Sequence, residues 1–226
     1  NARILSVTQP NFERIVEMQL EHLDEMGDLC QKKLIVEIMG KHSNIIFTDA
    51  DGTIIDSIKH ISHQVSSVRE VLPGRTYVYP PAQEKENPLD IDINYFMNHV
   101  LRKPVSVTKA IYTSLTGLSP VIANEICYRA GVDGGMSTAG LSMQEQEDLY
   151  AAFDAMRTSI KEEQFAPCIA YQGYAPKEFA ACTLTMYGEE ADNLPKKDVD
   201  GLKVFPSMSP VIEEYLSLIH ISEPTR

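Results

Sequence analysis

The chain has 226 residues, of which 43% are hydrophobic and 23% are charged, and its formal net charge is −12. This length and composition indicate an ordinary soluble protein of one or two domains. They exclude a membrane-spanning chain, because no apolar run is long enough, and no signal peptide opens the sequence. Residues 110–226 carry a net charge of −9 and residues 1–109 only −3. Strong non-specific binding to nucleic acid is therefore not expected.

The cysteines and the two chain ends bear on what kind of protein this is. The four cysteines, Cys30, Cys127, Cys168 and Cys182, have no C-x-x-C spacing, which predicts reduced thiols, with no metal and no disulfide. Because the chain begins with Asn1 inside a predicted strand, we expect it to be truncated. The ending LSLIHISEPTR, residues 216–226, matches the translation of a common sequencing adapter, and we expect it to be foreign to the fold.

Alternating apolar and polar residues predict an antiparallel β-meander from residue 3 to about residue 60. Strands are expected at residues 3–9, 12–20, 32–39, 44–48 and 53–58. A polar connection is expected at residues 21–31, and Asp49-Ala-Asp-Gly52 predicts a hairpin turn. A turn and a short helix are expected at residues 60–71, followed by a turn at Leu72-Pro-Gly74.

From residue 88 the pattern becomes helical. Apolar spacing predicts helices at residues 89–101 and 105–115. The next helix is expected to be capped by Ser119 and stopped by Gly131. An acidic amphipathic helix follows at residues 142–161, with Ser142 as its cap. The remaining pattern predicts two strands, residues 166–173 and 179–187, around a loop. The sequence thus predicts an α+β fold: a β-rich N-terminal domain, then a helical domain with a small β-hairpin.

The stretch MGKHSN, Met39 to Asn44, predicts a polar turn between two strands. It places one cation (Lys41), one titratable ring (His42) and two neutral hydrogen-bonding groups (Ser43 and Asn44) at one strand end. Backbone donors near Gly40 add to them. Such a set suits a polyanionic or nucleotide ligand. The alternative is a turn with no ligand, in which His42 is a structural histidine.

Three ordered motifs, EIMGKHSNIIFTD, IIDSIKH and VLPGRTYVYPPAQEK, resemble the NFACT family, which includes RqcH-like ribosome quality control factors. The resemblance covers nearly all of residues 1–215. It implies an incomplete N-terminal domain, residues 1–89, similar to that of formamidopyrimidine-type DNA glycosylases. A helix–hairpin–helix domain with a hairpin, residues 90–190, and the start of a coiled coil, residues 191–215, would follow it.

The resemblance also implies a function. A cytoplasmic, bacterial, non-enzymatic factor without cofactors would bind tRNA, alanyl-tRNA in particular, and the large ribosomal subunit carrying a stalled peptidyl-tRNA. It would promote C-terminal alanine tailing and leave peptide-bond chemistry to the ribosome. The implied RNA-binding residues are Glu13, Arg14, Met39, Gly40, Lys41, His42, Ser43 and Asn44. In many relatives Asp stands in place of Glu13 and Arg in place of Lys41.

Other interpretations stay open. Glu13 and Arg14 could form only a cross-strand ion pair. Weaker phosphate candidates, which could equally be solvated or packing residues, are Lys59, Arg69, Arg75 and Gly117. His60 and His63 with Asp56 give a loose metal motif that lacks a fourth ligand. There are two alternative functions. One is a fibronectin-binding surface adhesin, which an older name of the family describes, and the other is a glycosylase-like enzyme. No catalytic motif supports the enzyme.

Overall fold

The structure is a computed structural model that describes residues 2–81 and 84–222. The chain divides into two compact units, Asn1–Asn87 and Pro88–Arg226. The first contains an antiparallel sheet and the second contains most of the helices, so the predicted α+β fold is confirmed. Within the described ranges, no helix combines the length and the apolar character needed to cross a bilayer.

The first unit is a five-stranded antiparallel meander with strand order β1-β2-β3-β4-β5, as predicted. The strands are β1 (Ala2–Thr8), β2 (Ile15–Leu23), β3 (Leu29–Glu37), β4 (Asn44–Asp49) and β5 (Ile54–Ser57). Asp49 forms the predicted hairpin turn, because its carboxylate accepts hydrogen bonds from the backbone amides of Asp51 and Thr53. Gly52 supplies the positive φ of 84° that the turn requires.

Three predictions for this unit are wrong in detail. The second strand begins at Ile15 instead of residue 12, because Pro10–Phe12 forms a 3-10 turn with positive φ at Asn11 and Phe12. Residues 21–23 and 29–31, assigned to a connection, are strand. Glu21 pairs with Gln31 across the sheet, and a short turn at residues 24–28 joins the strands. Residues 60–71 contain no helix; Ile61 and Val71 instead form a two-way backbone bridge.

The core of this unit lies on one face of the sheet. It consists of Ile15, Ile35, Ile46, Ile54 and Val71. Met39, Ile61 and Tyr77 pack against it, so the segment after β5 covers this face. Alternate residues of a strand face the same side of the sheet, so core residues of neighbouring strands lie side by side. Ile35 of β3 and Ile46 of β4 form such a pair.

The helices of the second unit form a core of their own around Phe96, Ile126 and Phe153. They are α1 (Ile93–Tyr95), a π-helix (Phe96–Val100), α2 (Val107–Ser114), α3 (Pro120–Ala130) and α4 (Met143–Lys161). The predicted cap Ser119, stop Gly131 and capping box at Ser142 are all observed. The first helix begins later than predicted, because the Asp92 carboxylate caps it by accepting from the Tyr95 amide at 2.7 Å.

A three-stranded sheet of order β7-β6-β8 completes this unit. Its strands are β6 (Cys168–Gln172), β7 (Ala175–Ala180) and β8 (Asp200–Val204), and α5 (Met208–Ser222) follows. The predicted strand at residues 179–187 is wrong beyond Ala180. The fully buried Glu125 carboxylate accepts from the Thr185 and Met186 amides, which holds Thr185–Tyr187 in a 3-10 turn.

The segment expected to enter a coiled coil, residues 191–215, contains the strand β8 before its helix. β8 pairs with β6 and buries Leu202. The helix begins only at Met208 and is tied to the sheet, because Tyr171 and Lys203 both donate to Glu214. The proposed adapter segment, residues 216–226, overlaps the end of α5, and residues 223–226 lie outside the described part of the chain.

Candidate nucleic-acid interface

Three separate chain segments meet at one end of the five-stranded sheet. They are the start of β2, the turn between β3 and β4, and the exit from β5. The β2–β3 ladder continues past both strands, because the Ile38 amide donates to the Arg14 carbonyl at 2.8 Å. The Lys59 ammonium donates to the Lys41 carbonyl at 3.0 Å. Arg14, Lys41 and Lys59, which are 18 or more residues from one another in sequence, therefore lie at the same sheet end.

The MGKHSN stretch forms a 3-10 turn at Gly40–His42, in agreement with the predicted turn. Gly40 adopts a φ of +56°, which glycine adopts at less cost than residues that carry a Cβ. Ser43 closes the turn, since its hydroxyl accepts from the Met39 amide at 2.9 Å. Lys41 and His42 project from it as exposed side chains. The turn thus presents a cation and an imidazole on a backbone that Gly40 and Ser43 fix in place.

Asn44 has a structural role that its position in the motif did not suggest. Its side chain is buried, with 4% exposure. The amide oxygen accepts from the Lys59 amide and the amide nitrogen donates to the Lys59 carbonyl, both at 2.9 Å. The oxygen also accepts from the Ile45 amide at 3.0 Å. Asn44 therefore holds Lys59 beside the turn and presents no free group to a ligand.

Glu13 and Arg14 immediately precede β2 and do not lie within a strand. Arg14 is exposed and Glu13 is half-buried. The alternative of a cross-strand ion pair is not observed, because neither side chain forms an ion pair with any residue of the described ranges. The Arg14 guanidinium remains available, as a planar set of donors, for a phosphate or a base edge.

Arg69 lies under this sheet end and not on its surface. Its guanidinium donates to both carboxylate oxygens of Glu37, at 2.8 and 2.5 Å, and Tyr77 donates to the same carboxylate at 2.8 Å. Burial would lower the pKa of Arg69, but the Glu37 hydrogen bonds and charge outweigh it and the pKa is raised. Burial, together with Glu37, also raises the pKa of the Tyr77 hydroxyl. Arg69 is therefore a half-buried support for Glu37 and a poor phosphate ligand.

The other weak candidates fall elsewhere. Arg75 pairs with Glu70 at 3.2 Å, and His63 approaches the same carboxylate at 3.6 Å. Gly117 belongs to the second unit, in the turn between α2 and α3, with a φ of 76°.

His60 and Asp56, two residues of the loose metal motif, form a hydrogen-bonded pair. The His60 ring nitrogen lies 2.9 Å from the Asp56 carboxylate, and this hydrogen bond is the main reason why the pKa of Asp56 is lowered. Among the described residues, no group of three or more potential metal ligands is found.

The two ends of the sheet differ in charge. The turns at the opposite end, between β2 and β3 and between β4 and β5, carry five acidic residues: Asp24, Glu25, Asp28, Asp49 and Asp51. The candidate end carries the exposed cations Arg14, Lys41 and Lys59. Glu13 and Asp56 also lie near the candidate end, but this end has fewer acidic residues than the opposite one, which favours an anion there. Its exposed guanidinium, ammonium and imidazole groups are donors suited to phosphate oxygens.

Comparison with known proteins agrees with the sequence motifs. The family described as "NFACT N-terminal and middle domains" matches residues 1–217. The chain is 36% identical over 167 residues to the "Rqc2 homolog RqcH" of Bacillus subtilis, covering 74% of the chain and 27% of that protein. It is 40% identical over 181 residues to the "Rqc2 homolog RqcH" of Streptococcus pneumoniae serotype 2, and this match covers 79% of the chain and 29% of that protein. The chain thus spans less than a third of either relative.

Solved structures show the same fold. The "N-terminal of the fibronectin/fibrinogen-binding protein" of Streptococcus suis has 28% identity and a TM-score of 0.64, over 96% of this chain and 68% of that one. The "fibrinogen binding protein" of Staphylococcus aureus has a TM-score of 0.72 and 24% identity, over 95% of this chain and 70% of that one. With the match that extends over residues 1–217, these likenesses lead to one conclusion: the chain belongs to the NFACT family.

Proposed function

We propose that this chain is the RNA-binding N-terminal part of an RqcH-like ribosome quality control factor. The sheet end formed by Arg14, the MGKHSN turn and Lys59 would hold tRNA. Two relatives that are 36% and 40% identical carry the name RqcH, which supports the assignment to this class of factor. The single observation that carries the site is the convergence of exposed cations from three segments onto one sheet end.

The mode of binding follows from the side chains. Arg14 has a planar set of donors that can bridge two phosphate oxygens or a base edge. Lys41 keeps the charge but not the planar fork, so we assign it a phosphate contact. His42 adds a ring that can donate to phosphate or stack on a base. Met39, Gly40, Ser43 and Asn44 would act through the shape of the turn, and Glu13 would accept from a base amino group.

Within the cell, the complete factor would work in the cytoplasm on large ribosomal subunits that carry a stalled peptidyl-tRNA. It would recruit alanyl-tRNA and promote alanine tailing, with bond formation left to the ribosome. The groups at the sheet end suit this role, because they bind and orient RNA. This part of the proposal rests on the named relatives and concerns the complete protein, of which this chain is a fraction.

The domain assignment is also a proposal. We retain boundaries near residues 89, 190 and 215, a glycosylase-like N-terminal domain, and a helix–hairpin–helix element built from α2, α3 and their connection. In that connection Gly117 adopts a φ of 76° and Ser119 caps α3. These features support a tight interhelical hairpin that could place Gly117 against a phosphate.

The direct test is binding of the 226-residue chain to unfractionated tRNA at low salt. Arg14→Ala should weaken binding about tenfold, the loss of one charged contact. Arg3→Ala is the matched control, because Arg3 is exposed and pairs only with Glu21 on the sheet. Equal affinity of the Arg14→Ala variant and the unmodified chain would contradict the proposal.

One observation favours a second function. The Streptococcus suis structure, 28% identical, is named a fibronectin/fibrinogen-binding protein. Capture of the chain on immobilised fibronectin would support this adhesin alternative. If the tRNA proposal is correct, tRNA binding depends on Arg14 whether or not fibronectin is captured.

A further inference from the structure

His60 lies at the same sheet end as the proposed tRNA site, one residue after Lys59. β5 leaves the sheet at this end, since it runs antiparallel to β4, which begins here at Asn44. The Asn44 side chain hydrogen bonds to both backbone groups of Lys59, and the Lys59 ammonium donates to the Lys41 carbonyl. These hydrogen bonds fix the chain immediately before His60, so its ring lies beside the cations of the interface.

The ring of His60 is oriented by one carboxylate. Its Nε2 atom lies 2.9 Å from Oδ1 of Asp56, and the same oxygen accepts from the Ser57 amide at 2.8 Å, which holds it in place. Because an ionised carboxylate can only accept hydrogen bonds, Nε2 of His60 carries a proton and donates it. The Nδ1 edge of the ring then faces away from Asp56.

This Nδ1 edge is open to solvent. The His60 side chain is 53% exposed, and Nδ1 has no hydrogen-bond partner among the residues that the structure describes. His22 differs, because its Nδ1 atom lies 3.0 Å from the Leu23 carbonyl. The pair of His60 and Asp56 therefore presents one hydrogen-bonding group in a fixed direction, at the sheet end that carries the cations.

Asp56 limits what this group can bind. Its carboxylate is 70% exposed, and it would repel a phosphate placed against the ring. A neutral group that both donates and accepts is not repelled, and it can bond to Nδ1 whether or not that atom carries a proton. The ribose 2′-hydroxyl is such a group, and it is the group that distinguishes RNA from DNA. Each ribose is bonded to phosphates on both sides, so phosphate contacts at Lys41 and Lys59 would bring riboses close to His60.

We propose that His60, oriented by Asp56, hydrogen bonds to a ribose 2′-hydroxyl and makes this sheet end select RNA over DNA. Asp56 is a positioning residue in this arrangement, since it acts through His60. The inference rests on the proposed function. Arg14 and the two lysines supply phosphate contacts that any nucleic acid can use, and His60 supplies the discrimination between the sugars.

The test compares three ligands of one sequence. They are a tRNA transcript, its all-deoxy counterpart, and the transcript with 2′-O-methyl groups, which keeps the RNA backbone but lacks the free hydroxyls. The affinity of the 226-residue chain for each ligand is measured at one salt concentration, because phosphate contacts depend on salt. Circular dichroism and thermal unfolding establish that each variant is folded.

His60→Ala removes the ring, and His63→Ala is the matched control. The His63 side chain is also exposed, at 71%, and also lies near a carboxylate, that of Glu70. Glu70 pairs with Arg75, whose carbonyl accepts from the amide that begins β5, whereas His60 follows the end of that strand. The two variants therefore remove the same kind of side chain from different ends of β5.

His60→Ala should weaken binding to the unmodified transcript about fivefold, which corresponds to the loss of one hydrogen bond. It should change the affinity for the deoxy and 2′-O-methyl ligands by less than about twofold, since neither has the hydroxyl. His63→Ala should change none of the three affinities by more than about twofold.

Asp56→Ala gives a result that a purely structural role would not produce. It removes a negative charge from the sheet end, so the affinity for the all-deoxy ligand should rise by about twofold. It also leaves the ring of His60 without its orienting partner, so the preference for RNA over DNA should fall by about threefold. A loss of local structure would instead lower both affinities together.

Two results would overturn this inference. In one, His60→Ala weakens binding to all three ligands by the same factor, which means that the ring does not recognise the sugar. In the other, His60→Ala binds the unmodified transcript as well as the unmodified chain does. Arg14→Ala separates the two proposals. If it weakens RNA binding and His60→Ala does not, only the role of His60 is wrong, and if neither variant weakens it, both proposals are wrong.

Discussion

The buried side chain of Asn44 exchanges two hydrogen bonds, each of 2.9 Å, with the backbone of Lys59. This pairing joins the start of β4 to the residue that leaves the sheet after β5. The Lys59 ammonium in turn donates to the Lys41 carbonyl in the exposed turn. Asn44 therefore helps to position the turn through Lys59, which lies 15 residues after it in the sequence. The candidate interface is therefore set by backbone hydrogen bonding beneath the surface as well as by its exposed cations.

Asn44→Ala should lower the free energy of unfolding by about 2 kcal/mol. The substitution leaves the Lys59 amide and carbonyl without their buried partner, and each unsatisfied group is costly. Urea denaturation measures the change. Asn94→Ala, at an exposed helical position, is the control and should change stability by less than about 0.5 kcal/mol. Equal stabilities of the two variants would contradict the role assigned to Asn44.

Gly40→Ala should cost about 1 kcal/mol of stability and should also weaken tRNA binding. A Cβ at Gly40 meets nothing within 4 Å, so the cost arises from its φ of +56° and not from a clash. Gly27→Ala is matched, because Gly27 also has a positive φ and open space but lies at the opposite sheet end. If both variants bind tRNA equally well, the geometry of the Gly40 turn is not needed for binding.

Glu37→Gln should destabilise the first unit by about 3 kcal/mol. The change leaves the Arg69 guanidinium, whose side chain is only 12% exposed, without a compensating charge. Glu21→Gln removes the partner of Arg3, which is 74% exposed, and should cost less than about 1 kcal/mol. Chemical denaturation of both variants compares a buried pair with an exposed one. If both variants lose the same small amount of stability, burial does not make the Glu37–Arg69 pair more important than the exposed Glu21–Arg3 pair.

The raised pKa of Tyr79 predicts that the free energy of unfolding falls at alkaline pH. Burial and the hydrogen bond that its hydroxyl donates to Glu17 raise the pKa of Tyr79 from 10.0 to about 12. The unfolded chain therefore loses this proton at a lower pH than the folded chain does. The contribution of Tyr79 to the free energy of unfolding is complete below pH 10 and is lost as the pH rises towards 12. Because the residue is 42% exposed, we expect about 1 kcal/mol. Tyr79→Phe should flatten the fall in stability over this range, whereas Tyr174→Phe should not.

Local features of the fold could be predicted from the sequence. The caps at Ser119 and Ser142, the stop at Gly131 and the turn at Gly40 depend on a few neighbouring residues. Contacts between distant residues could not be predicted. Glu37 is a charged residue within a strand, yet it is buried and pairs with Arg69, which lies 32 residues away in the sequence.

The same limit applies to the candidate interface. The motif identified Asn44 as a ligand-facing residue, whereas strand pairing turns it inward to Lys59. Arg69, a phosphate candidate by its charge, lies beneath the surface, and the exposure of Arg14 follows from β2 beginning after it. Residue type therefore indicated a candidate interface, but which of its groups are exposed depends on sheet register and burial.

The most direct measurement places Arg14→Ala in the complete gene and follows tRNA co-purification and alanine tailing of stalled chains in cells, with Arg3→Ala as control. We predict that Arg14→Ala reduces both while protein abundance stays the same, and that Arg3→Ala leaves both unchanged. Undiminished tRNA recovery and tailing in the Arg14→Ala strain would contradict the claim that this sheet end holds tRNA.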